Sequence, residues 1–325
     1  MMKLNKKNFA TYFSLGVIAM LMIVFTLLES SFLNAANVNN LLSDTAPLMM
    51  MAAGMTPILI LGSIDLSIGA MCSVANVLAL NILLRFKGSI WTDGTAIFVS
   101  IALTLVFAAL AGMLLGLVHV KLKVPSFIAS LAFMSIWNSA ALVISNAPVS
   151  LPKDLWGAID WYKWSVGPLG FPLIIAFIII VIYYIVLTRT AFGRGIYTIG
   201  GNERAARIAG ISVDRIKITV FAINGVCAAL GAIFLMAKAK SSAPTVGDAF
   251  TLMVISAIVL GGTSLSGGAG NILNTILGVF IVAMIKNGMN IVGVDVFWQK
   301  IVYGLIVLIA IAINTDRSSR SFAVK

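Results

Sequence analysis

The chain has 325 residues, of which 60% are hydrophobic and only 10% charged, with 22 Lys and Arg against 11 Asp and Glu. A soluble domain carries about 25% charged residues, so this composition excludes a water-soluble globular protein and points to the bilayer as solvent. The net charge of +11 does not indicate nucleic acid, because the basic residues sit in short loops between apolar segments rather than on one soluble face.

A helix that crosses a bilayer needs roughly 20 mostly apolar residues, and the chain supplies such stretches repeatedly. The alternating pattern of an outer-membrane barrel is absent, and apolar runs such as Phe171–Leu187 satisfy their own backbone groups in lipid only as helix. The expected fold class is therefore all-α, a polytopic membrane helical bundle of about 8–10 transmembrane segments. In chain order, a cytoplasmic N-terminus over 1–9 carries Lys3, Lys6 and Lys7 and precedes an apolar segment at 10–29. That segment is too long for a cleavable signal sequence and is followed by further spans, so it reads as a retained helix. Further segments fall near 46–62, 67–84, 95–119, 126–145, 171–188, 218–237, 251–262, 272–292 and 296–314. The 251–262 stretch is short and reads either as a half-helix or as part of a longer one; 46–62 and 67–84 read as two crossings or as one broken element. A transmembrane domain thus covers 10–314, with a cytoplasmic loop at 189–217 and a cytoplasmic tail at 315–325.

With the N-terminus inside, alternate counting puts Lys3, Lys6, Lys7, Lys121, Lys123, Arg189, Arg194, Arg204, Arg207, Arg215, Lys217, Arg317, Arg320 and Lys325 in the cytoplasm. These are 14 of the 22 Lys and Arg, the bias that the positive-inside rule requires. Both termini are accordingly expected in the cytoplasm of a multi-pass inner-membrane protein. Trp91 at an outer helix end, and Trp156, Trp161 and Trp164 in the outer loop 146–170, suit the interface; that loop either lies on the membrane or contacts a partner. Cys72 and Cys227 lie inside separate apolar segments and form neither a disulfide framework nor a metal pair.

An internal duplication is visible at a constant offset of 199: 61–70 (LGSIDLSIGA) against 260–269 (LGGTSLSGGA), with Leu, Gly, Leu, Ser, Gly and Ala shared. Parallel repeats of this kind occur in transporters; composition bias is the competing explanation. No Gly-x-x-x-x-Gly-Lys-Ser/Thr loop, His-Glu-x-x-His or Gly-x-Ser-x-Gly is present. The lone His119 stands at a helix end and has no companion ligands, so an enzyme has no evident chemistry to work with.

Within the loop 189–217, Asn202 is a good N-cap, Glu203 suits the positive end of a helix, Ala205, Ala206 and Ala209 propagate it, and Gly210 suits its C′ stop. A two-turn helix is marginal alone, so it requires packing on something. Its small Ala side chains fit a groove, with Glu203, Arg204 and Arg207 at the rim; an ordinary surface turn is the other reading. Asn202-Glu203-x-Ala205-Ala206-x-x-x-Gly210-Ile211 resembles the cytoplasmic coupling loop of ABC importer permeases. The segments 62–69 (GSIDLSIG), 260–268 (LGGTSLSGG) and 287–293 (NGMNIVG) resemble the ribose-type branch of sugar permeases, and the similarity runs from about 40 to 313. The resemblance implies a permease subunit importing a small sugar, working as a pair with a second permease copy or paralogue. It also implies a cytoplasmic ABC ATPase that carries the ATP and Mg, and an extracytoplasmic sugar-binding protein. No cofactor is expected on this chain.

Asp65 is the one acidic residue deep among the apolar segments, where a charge is costly and marks a functional candidate. Ser63-Ile-Asp65-Leu-Ser67 equally reads as a helix-opening cap or turn. For an uncharged sugar, neutral amides and an aromatic face are the candidate pathway groups: Asn76, Asn81, Trp137, Asn138, Ser139, Asn224, Asn274, Asn287 and Asn290. Interhelical hydrogen bonding is the competing role for each, and the Gly and Ala of 108–116 and 225–232 read as close-packing surfaces. An ion-coupled secondary carrier is the alternative function; Asp65 alone is thin support for it.

Overall fold

The computed structural model describes residues 6–87, 92–167 and 169–314. Residues 1–5 of the N-terminus, Trp91, and Arg317, Arg320 and Lys325 in the tail at 315–325 lie outside them. In chain order the helices are α1 (Lys6–Leu28), α2 (Ala35–Ile60), α3 (Ile68–Phe86), α4 (Asp93–Lys121) and α5 (Ser126–Ile144). They continue with α6 (Phe171–Arg189), α7 (Ala191–Gly201), α8 (Glu203–Ile208), α9 (Val213–Ala239), α10 (Phe250–Leu260), α11 (Ile272–Val292) and α12 (Val296–Asn314). Among the described residues seven helices, α1, α3, α4, α5, α6, α9 and α11, are long and apolar enough to cross a membrane. The molecule is a polytopic helical bundle, and the strands among the described residues are four two-residue fragments: β1 (Val149–Ser150), β2 (Ser165–Val166), β3 (Leu169–Gly170) and β4 (Ser241–Ser242).

α2 is the centre of the bundle. Every residue from Thr45 to Ile60 is buried, including Met49, Met50 and Met51, and α6, α9, α10 and α11 surround it. It starts at Ala35, well before the 46–62 segment legible in the sequence, because Asn37, Asn39, Asn40, Ser43 and Asp44 hide its first turns. Pro47 and Pro57 lie inside it, which a helix enclosed by neighbours tolerates.

α4 and α9 pack backbone to backbone. A side chain at Gly112 would strike the Phe221 carbonyl, and one at Gly225 would strike the carbonyl of Ala108, so the small residues serve close approach, as expected. α10, with 11 residues, is a half-helix: the chain descends irregularly beside α3, with Ala243 N–H on Asn76 Oδ1 at 2.9 Å and Gly247 N–H on Ser73 Oγ at 2.9 Å, before helix begins.

The two repeated turns end their helices in the same way. Gly62 (φ +74°) and Gly262 (φ +82°) take the left-handed conformation. Ser63 N–H reaches Ile58 C=O at 3.0 Å and Gly62 N–H reaches Leu59 C=O at 2.9 Å; Thr263 reaches Ile258 at 3.2 Å and Gly262 reaches Val259 at 2.8 Å. Both are Schellman stops. This backbone correspondence runs at an offset of 200, one residue from the 199 of the sequence alignment, because Gly261 adds a residue before the second stop. The second connection is also longer, since α3 opens at Ile68 and α11 only at Ile272.

The loop 146–170 is folded onto the bundle. β1 pairs antiparallel with β4, Leu155 and Ile159 of a 3₁₀ stretch are buried, and Lys87 bonds Asp154 at 2.7 Å. Trp161 packs edge-on against Phe171 and Phe234 at 5.7 and 5.5 Å, so it is a core residue, unlike the exposed Trp156 and Trp164.

Candidate functional site

The cytoplasm-assigned loop 189–217 contains two helices. α7, missed in the sequence because Gly193, Gly195, Gly200 and Gly201 depress helix propensity, is capped by Thr190, whose Oγ1 accepts from Gly193 N–H at 3.1 Å. Its Gly195, Ile196 and Ile199 are buried. α8 follows the expected grammar: Asn202 Oδ1 accepts from Ala205 N–H at 3.0 Å, and Gly210 (φ +79°) closes a stop in which Ile211 N–H reaches Ala206 C=O at 3.0 Å.

Its faces are not as expected. Ala206 is wholly buried in the chain's own core, so it is not a side chain for a partner's groove. Glu203 and Arg207 are tied back as well: Glu203 Oε2 accepts from Lys217 Nζ at 2.7 Å, Arg207 bonds Glu203 at 2.9 Å and Asp214 at 2.8 Å, and Lys121 stands 3.7 Å from Asp214. Burial pushes the Glu203 carboxyl up, but Lys217 and Arg207 outweigh it and hold it below its ordinary value. The outward face consists of Arg204, Ala205, Ile208 and Ala209, with Ile208 81% exposed.

α7 joins this face to the two repeated turns. Tyr197 O–H donates to Gly270 C=O at 2.9 Å. Gly268 N–H donates to Ile60 C=O at 2.8 Å, locking the turns together, and Gly200 closes the joint. A Cβ on Gly200 would lie 2.5 Å from Gly268 N and closer still to the Ile60 carbonyl oxygen, far inside van der Waals contact. Gly200, Gly267 and Gly268 make this close approach possible.

The first turn carries Asp65. Asp65 Oδ1 accepts from Ser67 N–H at 2.8 Å and Ser67 Oγ–H at 2.6 Å, an Asx turn that opens α3. Its Oδ2 accepts from Asn224 Nδ2 of α9 at 2.8 Å. Asp65, Asn224 and Trp137 of α5 line one narrow cleft between α3, α4, α5 and α9, with room for a single water-sized molecule. Trp137 Nε1 and Asn224 Oδ1 are buried without hydrogen-bond partners among the described residues. Phe107 and Phe133, both 5.7 Å from Trp137, hold its ring. The cleft is thus lined by an indole, an amide and a carboxylate whose two oxygens are already bonded, residue types suited to hydroxyl groups rather than to ions.

The other amides are engaged elsewhere. Asn76 Nδ2 donates to Ala232 C=O at 2.9 Å and its Oδ1 is taken by Ala243. Asn274 accepts from Thr11 at 3.1 Å, Asn287 and Asn37 exchange two bonds of 2.9 Å, and Asn290 accepts from Gln299 at 2.8 Å. These four fasten helices to one another. Asn81 bonds its own helix at Val77; Asn138 and Ser139 lie partly or fully exposed on α5 and do not line the cleft.

Residues 37–311 match the family described as branched-chain amino acid transport system / permease component. The ribose import permease protein of Bacillus subtilis (strain 168) is 35% identical over 300 residues, covering 92% of this chain and 91% of that protein. The ribose import permease protein of Escherichia coli (strain K12) is 34% identical over 313 residues, covering 94% and 93%. The xylose transport system permease protein of Escherichia coli (strain K12) is 30% identical over 380 aligned positions, covering 98% and 95%. No solved structure matches the chain.

Proposed function

The chain belongs to the permease-component family of these transport systems, and from that membership we propose that it is the membrane subunit through which an ATP-driven importer passes a small neutral sugar of the pentose class. Its relatives are named for ribose and xylose, two uncharged polyhydroxylated cargoes, and the cleft at Asp65, Trp137 and Asn224 has matching chemistry. The single observation that carries the mechanism is the continuity from the exposed face of α8, through α7 and Gly200, to the paired intramembrane turns.

In this reading Arg204, Ala205, Ile208 and Ala209 meet a cytoplasmic ATPase, which binds the ATP and Mg. Closure of the ATPase displaces α8, the ion network of Glu203, Arg207, Asp214 and Lys217 keeps α8 and α9 moving together, and α7 transmits the shift to the turn that holds Asp65. A binding protein delivers the sugar on the opposite side, where the 3₁₀ loop and the β1–β4 pair form the surface, and a second permease copy completes the path. Both termini lie in the cytoplasm of a bacterial inner-membrane protein, with 1–9 and 315–325 flanking the transmembrane domain 10–314. An ion-coupled carrier would need a carboxylate available for a proton or cation, whereas both oxygens of Asp65 are occupied by Ser67 and Asn224.

The test is sugar uptake into proteoliposomes. With its ATPase and binding protein the chain is expected to import pentose only when ATP is supplied. Uptake by the chain alone under a sodium or proton gradient would establish the carrier instead.

A further inference from the structure

Between β4 and α10 the chain leaves helical structure while still at membrane depth. Residues 243–249 run along α3, where Asn76 Oδ1 holds Ala243 N–H and Ser73 Oγ holds Gly247 N–H, both at 2.9 Å. Gly247 and Gly69 meet backbone to backbone, since a Cβ on either would strike the other's carbonyl. Thr251 Oγ1 closes the contact by accepting from Gly69 N–H at 3.2 Å. Asn76 to Gly69 is about 10 Å along α3, and the 11 residues of α10 continue about 16 Å further to the repeated turn that adjoins α7. Asp248 therefore stands near the middle of a hydrocarbon core about 30 Å thick.

Beside these anchors, Thr245 and Asp248 are exposed. Among the described residues Asp248 forms no side-chain hydrogen bond or ion pair, and Lys300 of α12 attracts it only at longer range. Lipid does not suit such a surface, because irregular backbone occurs at this depth only where protein or water covers it, and a carboxylate against hydrocarbon is costly. A protein surface sealed over Asp248 would bury an unpaired charge. Water, or a hydroxylated molecule in its place, hydrogen-bonds it instead.

We propose that Thr245 and Asp248 line the aqueous passage and that the Asp248 carboxylate accepts hydrogen bonds from the hydroxyls of the passing sugar. An ionised carboxylate accepts through two oxygens, so it can take two neighbouring hydroxyls at once. Gly247, pinned to α3, fixes the depth at which it does so. The sugar contact rests on the reading that the cargo is a neutral sugar; access of water to this face does not.

Thiol accessibility in membrane vesicles carrying the chain with its ATPase and binding protein tests the proposal. The natural Cys72 and Cys227 are buried. A charged methanethiosulfonate reagent is expected to modify Thr245→Cys and Asp248→Cys far faster than Ile182→Cys, a residue 52% exposed on the apolar α6. Pentose is expected to slow the reaction at Thr245→Cys. Adding Asp248→Asn is expected to raise the pentose concentration that halves this rate about tenfold, the difference between a charged and a neutral acceptor. Reaction at 245 and 248 no faster than at 182 overturns the passage, as closure of this face by a second copy would produce. Protection that Asp248→Asn leaves unchanged overturns the sugar contact. Uptake by the chain alone under a sodium or proton gradient, lost in Asp248→Asn, overturns it in favour of a coupling ion at the carboxylate. If the unaltered complex takes up no pentose, the functional reading fails, while fast reaction at 245 and 248 still supports the passage.

Discussion

Gly200→Ala is the sharpest perturbation of the joint between α7 and the paired turns. The new Cβ would stand 2.5 Å from Gly268 N and 2.9 Å from the Ile60 carbonyl carbon, both backbone atoms that cannot rotate away. Overpacking of this kind costs about 1–3 kcal/mol, and relief requires α7 to lift, which parts the Gly268 N–H from Ile60 C=O and leaves buried groups unpaired at about 1–3 kcal/mol more. A midrange total near 4 kcal/mol shifts the docked joint about 700-fold toward the undocked state. Gly201→Ala is the control, because nothing lies within 4 Å of a Cβ there. In proteoliposomes with ATPase and binding protein, Gly200→Ala should retain the ATPase through the untouched face of α8 yet lose sugar uptake, while Gly201→Ala should transport as the unaltered chain does. Wild-type uptake by Gly200→Ala at normal membrane levels would refute the transmission route.

Three further variants separate docking, packing and passage. Ile208→Asp, on a side chain 81% exposed, should leave the permease folded in the membrane but abolish co-purification of the ATPase; retention of the partner removes α8 as its docking face. Asn76→Leu strands the Ala243 amide, at about 1–3 kcal/mol, and removes a bond to the Ala232 carbonyl, so it should lower the melting temperature in detergent. Trp137→Phe, which keeps an aromatic ring beside Phe107 and Phe133 but removes the indole N–H and two ring carbons, should lower that temperature modestly and slow uptake several-fold; unaltered uptake removes Trp137 from the path.

Local features were legible in the sequence and their meetings were not. Asn202 and Gly210 marked both ends of α8, because capping depends on residues within a turn of each other. Which way the helix faces depends on Lys217 and Asp214 of α9, so the buried Ala206 and the tethered Glu203 and Arg207 were invisible. Asp65, Trp137 and Asn224 were each recognisable as polar or aromatic groups among apolar ones, and they converge on one cleft. Asn76, Asn274, Asn287 and Asn290 carried the same signal but are taken up by partners on distant helices. α7 escaped notice because its four glycines suit tight contact with the turns rather than isolated helix formation, and the first turns of α2 escaped because their asparagines look like loop.

The enclosure of α2 has a consequence for biogenesis. Its 26 residues include two prolines and a polar N-terminal third, and it is not among the seven helices apolar enough to cross by themselves. Its closest companion, α9, is synthesised only after α3 to α8 have emerged. During translation α2 must therefore wait at the translocation machinery, or sit against lipid in a poorly matched state, until the later helix arrives to cover it. A chain released before α9 is complete has its central helix covered by α6 but by none of α9, α10 and α11, and such truncated products are expected to be recognised and degraded by membrane proteases faster than those truncated just beyond Ala239.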